Sequence, residues 1–217
     1  MVVNYNQFWR YCLKVDRIVS NLLDSNTYII TKDDQVLIID AGVEIEKIKT
    51  VVGNKKVCGV LLTHAHYDHS LNAQKYADEF NCKIFISKQA KETLSDPNVN
   101  YSEGRLVVTN FSTYVVVEDL QEIQLGNFKV FVIKTQGHSK CSVCYLIGQN
   151  LFAGDTLFDR GIGRTDLIGS DKQEMLNSLE KLENLQYQIC FSGHGQSSTK
   201  EEQEKNILVF KKFLNRS

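Results

Sequence analysis

Thr63-His64-Ala65-His66-Tyr67-Asp68-His69 follows directly on the apolar stretch Val57-Cys58-Gly59-Val60-Leu61-Leu62. A buried strand that ends this way delivers three imidazoles and a carboxylate to one loop. Neutral imidazole and carboxylate are preferred nitrogen and oxygen ligands of zinc and similar divalent ions, so the loop reads as metal-ligand chemistry. The chain has only five histidines, and the other two, His138 and His194, each follow a glycine.

Outward from this loop, further polar residues stand where apolar strands end. Thr135-Gln136-Gly137-His138, Ala153-Gly154-Asp155-Thr156 and Phe191-Ser192-Gly193-His194-Gly195 each close such a stretch. Strand ends of this kind are expected to converge on one rim. A glycine beside each ligand lets the backbone turn sharply and lets a metal approach without a Cβ in the way. Asp155 alone would read as a turn residue after glycine.

The whole chain sets the bounds. With 217 residues, 42% hydrophobic content and a formal net charge of -1, it is expected to bury one sizeable core as a single domain, 1–217, built of two similar halves at about 1–105 and 106–217. Lysines and arginines are interspersed with acids, so no basic stripe invites nucleic acid. The first twenty residues carry Arg10, Lys14, Asp16 and Arg17 without a long apolar core, and no later apolar run approaches about 20 residues. The expectation is a cytoplasmic protein acting on a small molecule, with no membrane partner, as a monomer or homodimer. Six cysteines, mostly within apolar segments, are expected to stay reduced.

Local patterns give strands at Cys12 to Ser20, Asn26 to Thr31 and Gln35 to Asp40, then a helix from Glu44 to Val52. After the strand ending at Thr63 come a helix from Ser70 to Phe80, a strand at Lys83 to Ser87 and a short helix. From about Leu106 the pattern resumes with strands near Tyr114 to Val117, Lys129 to Lys134, Cys141 to Ile147 and Leu151 to Ala153. A helix from Asp171 to Leu185, with Ser170 and Gln173 as its capping box, precedes a strand at Ile189 to Ser192 and a closing helix.

His-x-His-x-Asp-His, then His138, Asp155 and His194 in that order, resembles the metallo-β-lactamase-fold hydrolase superfamily from about Val15 to Phe213. The resemblance implies an α/β architecture, the αβ/βα sandwich of two mixed sheets with helices outside. It also implies two divalent ions, zinc first with iron or manganese as alternatives. His64, His66 and His138 would hold one ion, Asp68, His69 and His194 the other, with Asp155 bridging. Asp40 matches the family aspartate that orients the metal loop from behind, a role with a physical basis.

Within the superfamily, Ala153-Gly154-Asp155-Thr156-Leu157-Phe158 with Gly161-Ile162-Gly163-Arg164-Thr165-Asp166 is similar to small glyoxalase II-like proteins, which hydrolyse hydroxyacyl thioesters of glutathione. Two features depart from that branch. The family's Pro-Gly-His-Thr-x-Gly-Ser reads Gln136-Gly137-His138-Ser139-Lys140-Cys141-Ser142, and only 23 residues follow His194 where the full-length enzymes carry a glutathione-gripping domain. True metallo-β-lactamases usually carry cysteine or serine where Asp155 stands, which disfavours antibiotic hydrolysis. The implied reaction is attack of hydroxide on a thioester carbonyl, with Asp68 orienting the nucleophile and taking up its proton. The alternatives are a mononuclear iron persulfide dioxygenase and a lactonase of the same fold.

Arg164, Lys140 and Tyr67 are candidates for substrate contact, although Arg164 equally suits a structural brace with Asp166 and Tyr67 a packing role. Cys141 and Cys144 spell Cys-x-x-Cys, but in a strand those positions point to opposite faces, against a redox or thiolate site.

Overall fold

The computed structural model describes residues 13–103, 111–112 and 114–215. The first sheet opens with β1 (Lys14–Val19), β2 (Asn26–Lys32) and β3 (Gln35–Ile39), an antiparallel meander. Then α1 (Ile45–Val52) leads to β4 (Lys56–Leu61). Two short helices, α2 (Tyr67–Ser70) and α3 (Ala73–Phe80), precede β5 (Ile84–Ser87), and α4 (Ala90–Ser95) precedes β6 (Tyr114–Val117). Strands β3 to β6 run parallel, so the sheet is mixed, in the order β1-β2-β3-β4-β5-β6.

The second sheet is built from β7 (Glu122–Leu125), β8 (Phe128–Lys134), β9 (Val143–Ile147) and β10 (Asn150–Gly154), in antiparallel succession. A small ribbon of β11 (Leu157–Phe158) and β12 (Gly161–Ile162) follows, then α5 (Lys172–Glu183), β13 (Ile189–Ser192), β14 (Ser198–Thr199) and α6 (Lys200–Leu214). The order is β14-β13-β10-β9-β8-β7, with β13 parallel to β10.

Side chains alternate across each strand and sort into three layers. Tyr28, Ile30, Leu37, Ile39, Leu61 and Phe85 meet Val130, Val132, Val143, Tyr145 and Phe152 between the sheets. The intervening residues Ile29, Val36, Ile38 and Val60 pack beneath α1, α3 and α4. Cys144, Leu151 and Ala153 pack beneath α5 and α6 with Met175, Leu179 and Ile207. The result is the expected αβ/βα sandwich. Burial on both faces explains why Val36 to Ile39 of β3 and Leu151 to Ala153 of β10 read as unbroken apolar runs in the sequence.

Several local expectations change. The single helix expected from Ser70 to Phe80 begins earlier, at Tyr67, and is broken into α2 and α3, because Leu71 and Asn72 turn the chain between them; the Asn72 side chain donates to Val43 O at 3.0 Å. The strand expected from Cys141 starts at Val143, since the Ser142 amide turns back to Ser139 O. The expected capping box of Ser170 and Gln173 does not form, and a simple N-cap one residue later takes its place. Asp171 is the N-cap and accepts from Glu174 N at 2.9 Å, while Ser170 Oγ donates to Leu167 O. Strand β7 was not anticipated: its Glu122-Ile123-Gln124-Leu125 pattern buries only Leu125. The change of sheet falls between Val117 and Glu122, so β6 joins the first sheet although it follows residue 106. Cys12 and Leu106 lie outside the described residues. No described helix is long and apolar enough to cross a membrane.

Candidate metal centre

Both sheets present strand ends to one rim. Asp40 follows β3, the His64–His69 loop follows β4, His138 follows β8, Asp155 follows β10 and His194 follows β13. The rim closes over a cleft of about 240 Å³ lined by His66, Tyr67, Asp68, His138, Asp155 and His194, with Leu23, Tyr101, Arg164 and Leu167 at its mouth. A larger groove of about 570 Å³ runs beside α6, lined by Asp159, Arg160, Glu202 and Phe210 among others. None of its described lining residues is a histidine or cysteine, whereas the smaller cleft gathers three histidines and two aspartates and is the candidate site.

All seven candidate ligands come together there. Three groups of donor atoms lie close enough to share an ion: His64, His66 and His138; His64, His69 and Asp155; and Asp68, His69 and His194. His138 Nε2 is 3.0 Å from His66 Nδ1, and His69 Nε2 is 3.2 Å from His194 Nε2. Asp155 spans both sets, with Oδ1 at 3.4 Å from His69 Nε2 and Oδ2 at 3.5 Å from both His138 Nε2 and His194 Nε2. Asp68 Oδ2 lies 3.3 Å from both His69 and His194.

Ring orientation is set from behind. His138 Nδ1 donates to Arg164 O at 3.1 Å, which turns Nε2 into the cleft. His69 Nδ1 meets Asp40 Oδ2 at 2.8 Å, and His64 Nδ1 lies 3.1 Å from Thr63 Oγ1, whose hydroxyl also bonds Asp40. Three glycines make the crowding possible. A Cβ on Gly42 would stand 1.9 Å from Asp68 O, one on Gly163 1.9 Å from Asp155 O, and one on Gly193 2.0 Å from Asp155 Oδ1. Gly137, expected to clear space for metal, instead clears α5: its Cβ would meet Met175 at 2.5 Å.

The electrostatics divide the cluster. Burial first, then the neighbouring histidines, holds His64 well below its ordinary pKa; His66 falls to about 3 for the same reasons, and burial lowers His138. These three are neutral imidazoles at pH 7, the form that binds metal. Burial would also lower His69 and His194, but the carboxylates outweigh it. Asp68, Asp155 and Asp40 hold His69 well above its ordinary value, and hydrogen bonds to Asp155 and Asp68 bring His194 to about 9. Reciprocally, burial pushes Asp155 up but His69 and His194 outweigh it, leaving it at about 2, and Asp68 is held well below the carboxylate range by the same partners.

These residues fit a divalent cation. His64 Nε2 and Asp155 Oδ1 are buried without hydrogen-bond partners, and unpaired buried polar atoms are costly. Imidazole nitrogens facing one another at 3.0 and 3.2 Å also need a cation or a proton between them. Such a set of nitrogen and carboxylate donors suits zinc, iron or manganese.

The substrate candidates fare differently. Tyr67 is buried and lines the cleft, and Arg164 stands at its mouth. Arg164 takes the brace form, with Nε and Nη2 each 2.9 Å from the Asp166 carboxylate. Lys140 is exposed and outside the cleft lining, because its neighbour Ser139 turns inward and sends it to the surface. Cys141 packs with the first sheet's helices and Cys144 beneath α5, so they do not meet.

Sequence reading missed the loop before β2. Ser25 Oγ donates to Asp68 O at 2.7 Å, and Asn26 Nδ2 donates to Ser192 O and Gly195 O, which ties the two ligand loops together. It also missed Leu23, Tyr101 and Leu167. None carries a chemical type or spacing that marks it out, since each acts through tertiary position alone.

A family model described as the metallo-beta-lactamase superfamily matches residues 20–194. The probable metallo-hydrolase YqgX of Bacillus subtilis (strain 168) is 33% identical over 207 residues, spanning 91% of this chain and 98% of its own. Among solved structures, the BLEG-1 B3 metallo-beta-lactamase aligns with a TM-score of 0.78 at 29% identity, covering 88% of this chain and 97% of that one. TTHA1623, solved in a di-iron-bound form, has a TM-score of 0.78 at 23% identity, covering 88% and 98%. The last is a likeness of fold.

Proposed function

Because the chain belongs to the metallo-β-lactamase superfamily, we propose that it is a binuclear metallohydrolase acting on thioesters. The observation that carries this reading is the position of Asp155, whose two oxygens face His69 on one side and His138 and His194 on the other. His64, His66 and His138 would hold one ion, Asp68, His69 and His194 the second, with Asp155 between them and Asp40 orienting His69 from behind. Bound by these residues, the ions would supply hydroxide at neutral pH, since such metals bring the pKa of water from about 15.7 toward about 7.

The chain's own groups do the rest. Asp68 lines the cleft as a carboxylate and is placed to orient the water and accept its proton. Hydrolysis joins the water oxygen to the acyl carbon and breaks the carbon–sulfur bond. A thiol leaving group has a pKa near about 8.5, so it departs as thiolate without a strong general acid. That suits a cleft where His69 and His194 are committed to Asp68 and Asp155. Tyr67, 5% exposed, forms part of the wall that shields the reacting carbonyl from bulk water.

Elemental analysis of the purified protein, paired with hydrolysis assays on S-lactoyl thioesters, a lactone and a β-lactam, tests this. The expected result is two metals per chain, with thioester turnover that disappears in Asp155→Ala and His69→Ala. Turnover of the lactone or β-lactam alone would replace the substrate class. One iron per chain, no hydrolysis, and oxygen uptake with glutathione persulfide would move the protein to the dioxygenase class.

A further inference from the structure

The cleft, at about 240 Å³, is smaller than the roughly 300–1,000 Å³ of clefts that enclose a drug-sized ligand. The acyl part of a substrate fits inside it, and the remaining arm must lie across the mouth. Leu23 and Leu167 flank that mouth. Leu23 is 64% exposed, and Ile168, next to Leu167, is 60% exposed. Tyr101 ties the Leu167 side to the histidine loop: its hydroxyl accepts from Ile168 N at 2.7 Å, and its ring stands edge-on to His66 at 5.1 Å. Large apolar side chains left in water around a reactive cleft mark a contact surface for an apolar group.

Arg164 is the one arginine or lysine among the described residues lining the cleft, and its guanidinium is already engaged. Both of its bonds to Asp166 are 2.9 Å, the paired geometry in which a carboxylate matches the guanidinium fork. The pair carries no net charge. A substrate carboxylate would have to displace one tethered two residues away.

We propose that this mouth selects acyl compounds whose non-reacting arm is neutral and apolar, and that Asp166 sets the preference by masking Arg164. The inference rests on the thioester-hydrolase reading for the identity of the substrate, but the preference itself is measurable without turnover.

Calorimetric titration of the metal-loaded protein with two non-hydrolysable thioethers, S-propylglutathione and S-propyl-N-acetylcysteamine, separates an anionic arm from a neutral one. The neutral ligand is expected to bind more tightly. In Asp166→Asn the gap should narrow by about two- to fivefold, the worth of an exposed ion pair. Leu23→Gln should weaken the neutral ligand more than the anionic one. Equal or tighter binding of S-propylglutathione by the unaltered protein, or a gap unmoved by Asp166→Asn, overturns the inference. Assays of the S-lactoyl thioesters of the same two thiols run in parallel. Absence of turnover on both, with the binding preference intact, overturns the hydrolase reading and leaves the mouth's selectivity standing.

Discussion

Asp40 Oδ2 lies 2.8 Å from His69 Nδ1 and accepts from Thr63 Oγ1 at the same distance, while Oδ1 accepts from Thr63 N at 2.7 Å. One buried carboxylate therefore fixes both ends of the ligand loop, from a backbone at φ +61° that an aspartate adopts more readily than most residues. Asp40→Asn keeps the shape but replaces one acceptor oxygen with a donor, so either His69 or Thr63 loses its partner. Metal affinity should fall about 10–100-fold, the usual cost of losing such an orienting partner. Competition against a chromogenic chelator measures it, and an unchanged affinity would remove Asp40 from the site's support.

Metal removal should lower thermal stability in a pH-dependent way. At free metal about 100-fold above Kd, binding adds about 2.7 kcal/mol, or roughly 5–10 °C in Tm for a chain of this size. Without metal, positive charge between the carboxylates is supplied by protons on His69 and His194. The folded pKa of His194, about 9, lies above its unfolded value, so its contribution is full below about 6.5 and is lost as pH rises through about 9. Asp155, depressed to about 2, contributes above about 3.9 and loses that contribution as pH falls through about 2. Metal must displace the histidine protons, which becomes easier as pH rises. The difference in Tm between loaded and chelated protein should widen from pH 7 to 9.5. A difference that stays flat would mean that these histidines are not the groups the metal displaces.

Gly193→Ala should disable the centre while leaving the fold. The added methyl would stand 2.0 Å from Asp155 Oδ1 and 2.9 Å from His69 Cε1, contacts that no side-chain carbon keeps. Asp155 has nowhere to retreat, since Gly154 presses on Thr63 and Gly163 on the Asp155 carbonyl. We expect fewer metals per chain with far-ultraviolet circular dichroism unchanged. Full metal content in the variant would show that the loop yields by more than the close approach suggests.

The fold was legible because its strands announce themselves. Val36-Leu37-Ile38-Ile39 is buried on both faces, so nothing dilutes its apolar run. The seven clustered residues were legible for a related reason: histidine is rare here and recurs only where strands stop. β7 was hidden because three of its four residues are not fully buried, leaving a pattern like that of a polar loop. The mouth of the cleft was hidden because Leu23, Tyr101 and Leu167 come from three loops whose meeting depends on the packed sheets, and no local spacing encodes it. The start of α6 was passed over in the sequence, although Thr199-Lys200-Glu201-Glu202 spells it: Thr199 and Glu202 form a reciprocal capping box.

The start of α5 offers a clean discrimination between two neighbouring residues. Asp171 accepts from Glu174 N at 2.9 Å and its own amide donates to Gly137 O at 2.8 Å, so this cap also anchors the loop that carries His138. Ser170 is spent on Leu167 O instead. Asp171→Ala should cost about 1 kcal/mol of stability, as the loss of an N-cap usually does. The backbone bond to Gly137 survives in that variant, so the loss should appear in the denaturation midpoint with little change in metal affinity. Ser170→Ala should cost less, because its partly buried hydroxyl caps no helical amide. Equal losses from the two variants, measured by urea denaturation, would return the cap to the position the sequence first suggested.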